Sequence, residues 1–236
     1  MTADGGVRSM ADLHCHTSAS FDSLSKPQSV VRAAAERGLT HVAITDHDRL
    51  EGALEARAAA TDDIHVIVGQ EVRTSAGDLI GLYLERPIPS GLAPHEAARL
   101  IRDQGGVVGV AHPFDRFRAG AGRKGWETEL EQLVPLLDYV ETWNARLMVG
   151  DGNSRAAAFA ATNALAGAAV SDAHTLLEVG VAYTITDGPL DTAHDFRAAM
   201  SGFTFVTARG SRLVRVAMPF AKLVQKIRGN GRALPA

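Results

Sequence analysis

Short apolar segments alternate with alanine-rich helical segments along this chain of 236 residues, and this alternation constrains the fold more than any other feature. Short β-branched runs between turn residues are typical of strands, and the segments between them have the composition of helices. Regular alternation of the two predicts repeated βα units around a largely parallel sheet. Nine strands are predicted: Met10–Cys15, His41–Thr45, His65–Gly69, Leu79–Leu84, Val107–Ala111, Tyr139–Trp143, Ala168–Ser171, Val181–Thr186 and Phe203–Thr207.

Proline and glycine mark the ends of the predicted helices. Pro27 opens one helical segment and Gly38 closes it, and Pro94 and Gly105 do the same for another. Proline suits the first turn of a helix, and glycine suits the position after the last. A further helix is predicted from Asn153, and the segment MPFAKLVQKIRGNGR predicts a basic amphipathic helix that packs on the barrel.

No fixed-length repeat and no low-complexity linker divides the chain, so we predict a single domain over residues 1–236. Its core motifs fall in residues 10–175, and residues 176–230 add C-terminal βα elements and the basic helix. The net charge of −3 and the pI near 6.3 give no strong signal for nucleic acid or membrane. With Cys15 as its one cysteine and no long apolar segment, the chain is expected to be a soluble cytoplasmic protein.

Histidine and acidic residues stand at the C-terminal ends of five predicted strands. In a parallel barrel these ends gather on one side, so the side chains should converge on one pocket. Each alone is explained as a helix cap or a buried hydrogen-bonded group, but together they would repel one another unless divalent cations lay between them. The residues are Asp12, His14, His16, Asp46, His47, Asp48, Glu71, His112, Asp172 and His174.

Alternation along a strand refines this prediction. Asp12, His14 and His16 are two residues apart and are expected on one face, as are Asp172 and His174.

The motifs resemble those of the PHP family, named for polymerase and histidinol phosphatase. The family's signatures are an Asp-x-His-x-His strand, a Thr-Asp-His turn, a single Glu, a His-Pro and a final Asp-x-His. The resemblance implies a distorted, TIM-like seven-stranded β/α barrel and a metal-dependent hydrolase, of the small stand-alone phosphoesterase type. In this chain the motifs are Asp12-Leu13-His14-Cys15-His16, Thr45-Asp46-His47, Glu71, His112-Pro113 and Asp172-Ala173-His174.

The same resemblance implies how these residues share two or three divalent ions, which would be Mn, Zn or Fe. His14, His16 and Asp172 would hold one ion, and Glu71 would bridge it to a second that also binds His112. The third would take Asp22, His47 and His174, with Ser20 and Ser23 as alternatives to Asp22. Many relatives supply another histidine to the second ion from the strand that here reads VETWNAR, where this chain offers Asn144 or Glu141.

The predicted reaction is attack of a metal-activated water on a small phosphorylated metabolite or nucleotide. Glu71, Asp172 and His174 are the candidate catalytic residues, while Asp12 and Asp46 are expected to orient the imidazoles that bind metal. The alternatives are an amidohydrolase or lactonase, since the same ions polarise a carbonyl group, and a non-catalytic metal-binding domain. Arginine favours bidentate contact with phosphate, so the candidate substrate-binding residues are Arg116, Arg118 and Arg146, with Arg155 and Arg209 behind them.

Overall fold

The computed structural model describes residues 7–115, 125–211, 214 and 217–231. Within these residues nine strands form one sheet, in the order β7-β6-β5-β4-β3-β2-β1-β8-β9. All nine lie where the sequence predicts strands. Their bounds are β1 (Arg8–Cys15), β2 (His41–Ile44), β3 (His65–Thr74), β4 (Gly77–Leu82), β5 (Val107–Val110), β6 (Tyr139–Asn144), β7 (Ala166–Val170), β8 (Tyr183–Asp187) and β9 (Thr204–Val206).

Strands β1 to β7 curl into a nearly closed barrel. The last of them returns to the first through a bridge between Cys15 and Ala173, and the His16 amide donates to the Ala173 carbonyl at 2.8 Å. Strands β8 and β9 extend the sheet beyond β1 with antiparallel pairing. The predicted α/β barrel is therefore confirmed.

One part of the barrel departs from the predicted alternation. Strands β3 and β4 form a hairpin with no helix between them, and β4 runs antiparallel to both of its neighbours. The hairpin closes at the Thr74–Gly77 pair, where Gly77 has a φ of 142° that an L side chain rarely adopts. Consequently the N-terminal end of β4 lies on the same side of the barrel as the C-terminal ends of the parallel strands.

Seven α-helices are described, and they cover the outside and the ends of the barrel. Five of them, α1 to α5, pack their apolar faces on the sheet in a large outer core. None of the described helices has the length and apolar character needed to cross a membrane. They are α1 (Pro27–Glu36), α2 (Glu51–Ala58), α3 (Pro94–Asp103), α4 (Trp126–Leu133), α5 (Gly152–Thr162), α6 (Ala193–Ala199) and α7 (Ala217–Ile227).

A second, smaller core fills the interior of the barrel. It contains Leu13, Ile67, Ile80 and Tyr139 from four strands, and Phe196 of α6 packs against it. Tyr139 is the first residue of β6, so α6 closes the N-terminal end of the barrel. The opposite end is open to polar side chains.

Candidate metal centre

The C-terminal ends of β1, β2, β5 and β7 bring histidines and carboxylates together in a buried cluster, and Glu71 joins them from within β3, which continues past the predicted end at Gly69. Three residues that follow these strands have left-handed backbone conformations: Asp48 (φ 57°), His112 (φ 28°) and Asp172 (φ 53°). Each such conformation costs a non-glycine residue on the order of 1 kcal/mol or more, and strain of this kind gathers at functional sites. At His112 and Asp172 the bent backbone directs the side chain into the cluster. The predicted cluster residue Asp48 lies outside it, since its carboxylate accepts the Arg73 backbone amide at 2.9 Å.

An irregularity in β1 separates Asp12 from the histidines that follow it. The pairing register of β1 with β2 shifts between Asp12 and Cys15. Leu13 packs in the interior core and Cys15 in the outer core, so the alternation of faces reverses between them. The expectation that Asp12 shares a face with His14 and His16 is therefore wrong.

The Asp12 carboxylate performs a different task from the one predicted. It accepts hydrogen bonds from the backbone amides of Ser171, at 3.0 Å, and Gly180, at 2.8 Å. Asp12 thus joins β1 to the segments that follow β7. None of its hydrogen bonds to the described residues involves an imidazole.

The first group of candidate ligands comprises His14, His16 and Asp172. The Nε2 atoms of the two histidines are 3.0 Å apart, and Oδ1 of Asp172 lies 3.8 Å from the first and 3.5 Å from the second. Oε2 of Glu71 is 3.3 Å from both Nε2 atoms. All four side chains are buried.

The Nδ1 atoms of these histidines are held by acceptors on the side away from the cluster. His14 Nδ1 donates to the Glu141 carboxylate at 2.6 Å. Ser20 gives its hydroxyl proton to Asp46, so His16 Nδ1 must donate to the Ser20 oxygen, 3.0 Å away. With Nδ1 protonated, each neutral ring keeps its lone pair on Nε2, which is the tautomer that binds a metal.

Two lone pairs only 3.0 Å apart repel unless a cation or a shared proton lies between them. Nearby, Oδ1 of Asp22 is buried and accepts no hydrogen bond from the described residues. Imidazole nitrogens and carboxylate oxygens are the ligands that Zn, Mn and Fe share. The residues present therefore fit divalent metal ions.

The second group contains Asp78, which was not predicted from the sequence. Oε1 of Glu71 is 3.0 Å from Nε2 of His112, and the Asp78 carboxylate completes a set whose ligand atoms lie within 4.8 Å of one another. Asp78 is the second residue of β4. Because β4 is antiparallel, its beginning lies at the site, whereas the pattern in the sequence indicated only residues at the ends of strands.

The third group comprises Asp22, His47 and His174. Oδ2 of Asp22 is 3.5 Å from Nε2 of His47 and 3.3 Å from Nε2 of His174. His174 Nδ1 donates to the Asp172 carbonyl at 3.0 Å, which leaves its Nε2 lone pair facing Asp22. Nδ1 of His47 lies 3.0 Å from Oε2 of Glu71. Glu71 thus touches all three groups.

Asn144 and Glu141 support the ligands in this structure. The Asn144 side-chain amide donates to Glu141 and to Asp172, at 3.1 Å each, and its oxygen accepts the Arg146 backbone amide. Glu141 accepts both the His14 ring and the His112 backbone amide. Asn144 and Glu141, which the resemblance offered as ligands of a second ion, therefore orient other ligands in this structure, and Asp78 is the better-placed oxygen ligand for that ion.

Asp46 acts on His16 through Ser20. Its carboxylate accepts the Thr17 amide and hydroxyl, each at 2.6 Å, and the Ser20 hydroxyl at 2.7 Å. The α2 backbone approaches so closely that a Cβ atom at Gly52 would overlap both Asp46 and Thr17. This position requires glycine.

The electrostatics of the cluster favour cations. Burial alone would lower the pKa of His14 and His47, but the surrounding carboxylates, above all Glu141 for His14 and Glu71 for His47, raise both pKa values well above the usual range. Burial lowers the pKa of His16 and of His174 to about 4, with neighbouring positive groups adding to the effect.

The central carboxylates are held ionised. Burial opposes this, yet His47 and His14 keep the pKa of Glu71 well below its usual range, and His174 and His47 do the same for Asp22. In the absence of metal, protons on histidines balance this negative charge, so metal binding must release protons.

The predicted substrate arginines lie in different places. Arg116 and Arg118 fall outside the described residues. Arg146 is buried beside the cluster, where its guanidinium is 4.0 Å from Asp172 Oδ1 and contacts the sulfur of Met218. Arg155 pairs with Glu127 at 2.6 Å, and Arg209 donates to the Met148 carbonyl at 2.8 Å.

The family follows from comparison of the sequence with known proteins. Residues 12–132, just over half of the chain, match the PHP domain, and residues 150–201 match the PHP-associated family. The chain belongs to the PHP family. The resemblance drawn from the motifs is thereby confirmed.

Related proteins extend this result to the fold. An uncharacterized protein of Methanocaldococcus jannaschii is 33% identical over 146 residues, which are 57% of this chain and 81% of that protein. A solved structure from Bacteroides vulgatus is a two-domain protein described as containing a predicted PHP-like metal-dependent phosphoesterase. It matches with a TM-score of 0.73 at 19% identity, and the match covers 87% of this chain and 66% of that chain.

A more distant structure comes from a nucleic-acid enzyme. The lesion-specific endonuclease of Pyrococcus furiosus has a TM-score of 0.58 at 16% identity, and the match covers 83% of this chain and 56% of that chain. At 19% and 16% identity, these two solved structures show that the fold is shared and nothing more.

Proposed function

We propose that this protein is a metal-dependent phosphoesterase that hydrolyses a small phosphorylated substrate with two or three divalent ions. The observation that carries the proposal is the position of Glu71, whose two carboxylate oxygens face Nε2 of His14 and Nε2 of His112, at 3.3 and 3.0 Å. A carboxylate between two sets of imidazoles is suited to bridge two cations. Metal centres of this kind activate a water and neutralise charge on both the attacking and the leaving oxygens of a phosphoryl group.

The protein's own residues have distinct tasks in this proposal. His14, His16 and Asp172 hold one ion, and Asp78, His112 and Glu71 a second; Asp22, His47 and His174 hold a third. Glu141, Asn144, Ser20 and Asp46 keep the ligands in the required orientation. With a pKa near 4, His174 is unprotonated at neutral pH, which suits it to bind a cation and not to donate a proton.

Arg146 is the described arginine best placed to meet the substrate. It is buried, its charge lies beside Asp172, and burial increases the strength with which it would hold a phosphate oxygen. Arg116 and Arg118 remain proposed substrate contacts from the sequence. Mn, Zn and Fe all suit the imidazole and carboxylate set.

The test is a substrate panel run on protein with a measured metal content. Phosphomonoesters, phosphodiesters, nucleotides and lactones are offered with added Mn²⁺, and phosphate or acid release is followed. We expect phosphoester turnover that His14→Ala and Glu71→Ala abolish. His65→Ala is the matched control, because this exposed histidine lies at the opposite end of the barrel.

Turnover of lactones or amides alone would replace the proposal with the amidohydrolase or lactonase alternative. Full metal binding with no turnover of any substrate in the panel would support a non-catalytic metal-binding domain.

A further inference from the structure

A cavity of about 290 Å³ opens beside the third group of ligands. Asp22 and His174 form its polar floor. Most of its wall surface is apolar and belongs to Leu24, Leu176, and Met218, Phe220 and Ala221 of α7. Ser25, Lys26, Ser29 and Thr175 also line the cavity. A ligand bound in this cavity would therefore contact the metal centre at one end and a mostly apolar surface beyond it.

The α7 wall is fixed to the loop that carries Asp22. The Gln225 side-chain amide is buried and donates to the carbonyls of Ser18, Ser20 and Ser23, at 2.7, 2.9 and 2.7 Å. Asn230 adds a hydrogen bond to Ser18 at 3.1 Å. The same segment thus binds α7 and supplies a candidate ligand, so these hydrogen bonds set the position of the wall relative to the floor of the cavity.

The rim of this cavity leaves apolar side chains in contact with water. Phe220 is 63% exposed and Leu176 is 37% exposed, and both line the cavity. Apolar surface grouped around a polar floor is typical of ligand-binding sites, where the ligand covers it. A small polar alcohol would leave these walls uncovered.

The size and chemistry of the walls identify the group that fits. A cavity of about 150 Å³ is enough to hold benzene, so 290 Å³ accommodates one aromatic ring and a short linker. The Phe220 ring and the Met218 sulfur both interact favourably with aromatic groups. Lys26 lines the same cavity and is exposed, which places a positive charge where an anionic substrate would enter.

We propose that this cavity binds the organic group of the substrate and that this group is aromatic, so that the protein prefers aryl phosphoesters to alkyl ones. The inference rests on the proposed function and names the substrate class for the same site. Phe220, Ala221 and Met218 then determine specificity, whereas the metal ligands act on the phosphoryl group.

Binding of two phosphonates tests this, because their P–C bond resists hydrolysis. The affinities of phenylphosphonate and methylphosphonate are measured by calorimetry on Mn²⁺-loaded protein. We expect the phenyl compound to bind about 10- to 100-fold more tightly, as burial of a phenyl-sized side chain predicts.

Two variants and their controls assign that preference to the cavity. Ala221→Trp fills it and Phe220→Ala removes one wall, so both should reduce the preference for phenylphosphonate at least fivefold while methylphosphonate binding stays within twofold. Leu223→Trp and Leu223→Ala are the matched controls, since Leu223 is 56% exposed on the same helix and does not line the cavity. If Ala221→Trp does not fold, Phe220→Ala decides the result.

Equal affinity for the two phosphonates, or a preference that neither variant changes, would overturn the inference and leave the proposed function standing. Failure of both phosphonates to bind a fully metal-loaded protein would overturn the two together.

Discussion

The two ends of the barrel are built from the same strands but differ in almost every physical respect. Among the described residues, the C-terminal end gathers five histidines and four acidic side chains that are candidate ligands, with three left-handed backbone positions. The N-terminal end is closed by Phe196, packed against Tyr139. The left-handed residues and buried charges of the polar end cost folding free energy. The apolar end stabilises the fold because it buries hydrophobic surface. This division matches the general rule that barrel strands carry function at their C-terminal ends and stability at the other.

The largest expected effect is at the polar end. Glu71→Gln keeps the volume of the side chain but removes the charge that faces all three groups of ligands. Metal affinity and phosphoester turnover should each fall by more than about 100-fold. Mutation of a residue that only orients metal ligands typically costs about 10- to 100-fold, and Glu71 is proposed to be a ligand itself. Elemental analysis and initial rates measure this, and circular dichroism checks that the variant is folded. Unchanged metal content would show that Glu71 does not bridge.

The opposite result is expected at the apolar end. Phe196→Ala opens a cavity in the interior core and should lower the free energy of unfolding by about 3–5 kcal/mol. Metal content and the rate per folded molecule should remain close to wild type. Urea denaturation and elemental analysis test the two statements separately. Loss of metal in the folded variant would contradict the assignment of stability to the N-terminal end and metal binding to the C-terminal end.

A third prediction compares two acidic residues close together in sequence, Glu141 within β6 and Asp138 immediately before it. Glu141→Gln weakens the acceptor that orients His14 and should reduce metal affinity about 10- to 100-fold. Asp138→Asn is the matched control, because its carboxylate bonds the Val108 amide and Arg197 at the N-terminal end. Titration with Mn²⁺ measures both, and equal losses would argue against a specific role for Glu141.

The smallest effect concerns pH and the N-terminal end. His41 is buried, which lowers its pKa, and His65 adds to this while Asp191 opposes it. A histidine whose pKa is lower in the folded state stabilises the fold above the unfolded pKa of about 6.5, and this contribution is lost as the pH falls below that value. Between pH 7.5 and 5.5, metal-free wild type should lose more stability than His41→Gln does, by under about 1 kcal/mol. Thermal or urea unfolding at the two pH values measures the difference. Identical pH dependence of the two proteins would show that His41 does not contribute to it.

The sequence predicted the strands and most of the cluster because both depend on local pattern. His14, His16, His47, His112 and His174 all reach the centre as residues placed at strand ends should.

Three features depended on pairing between strands, which a single sequence does not show. The β3–β4 hairpin brings Asp78 to the site from the start of a strand. The register shift in β1 turns Asp12 away from the histidines. The hydrogen bond between His14 and Glu141 joins residues 127 positions apart.

Anomalous diffraction from crystals loaded with Mn²⁺ would locate the ions that Glu71 is proposed to bridge. We predict at least two peaks at the C-terminal end of the barrel, each about 2.0–2.3 Å from histidine nitrogens or carboxylate oxygens, with Glu71 touching both. The absence of peaks at His14, His16 and Asp172, with the protein folded and Mn²⁺ in excess, would contradict the account.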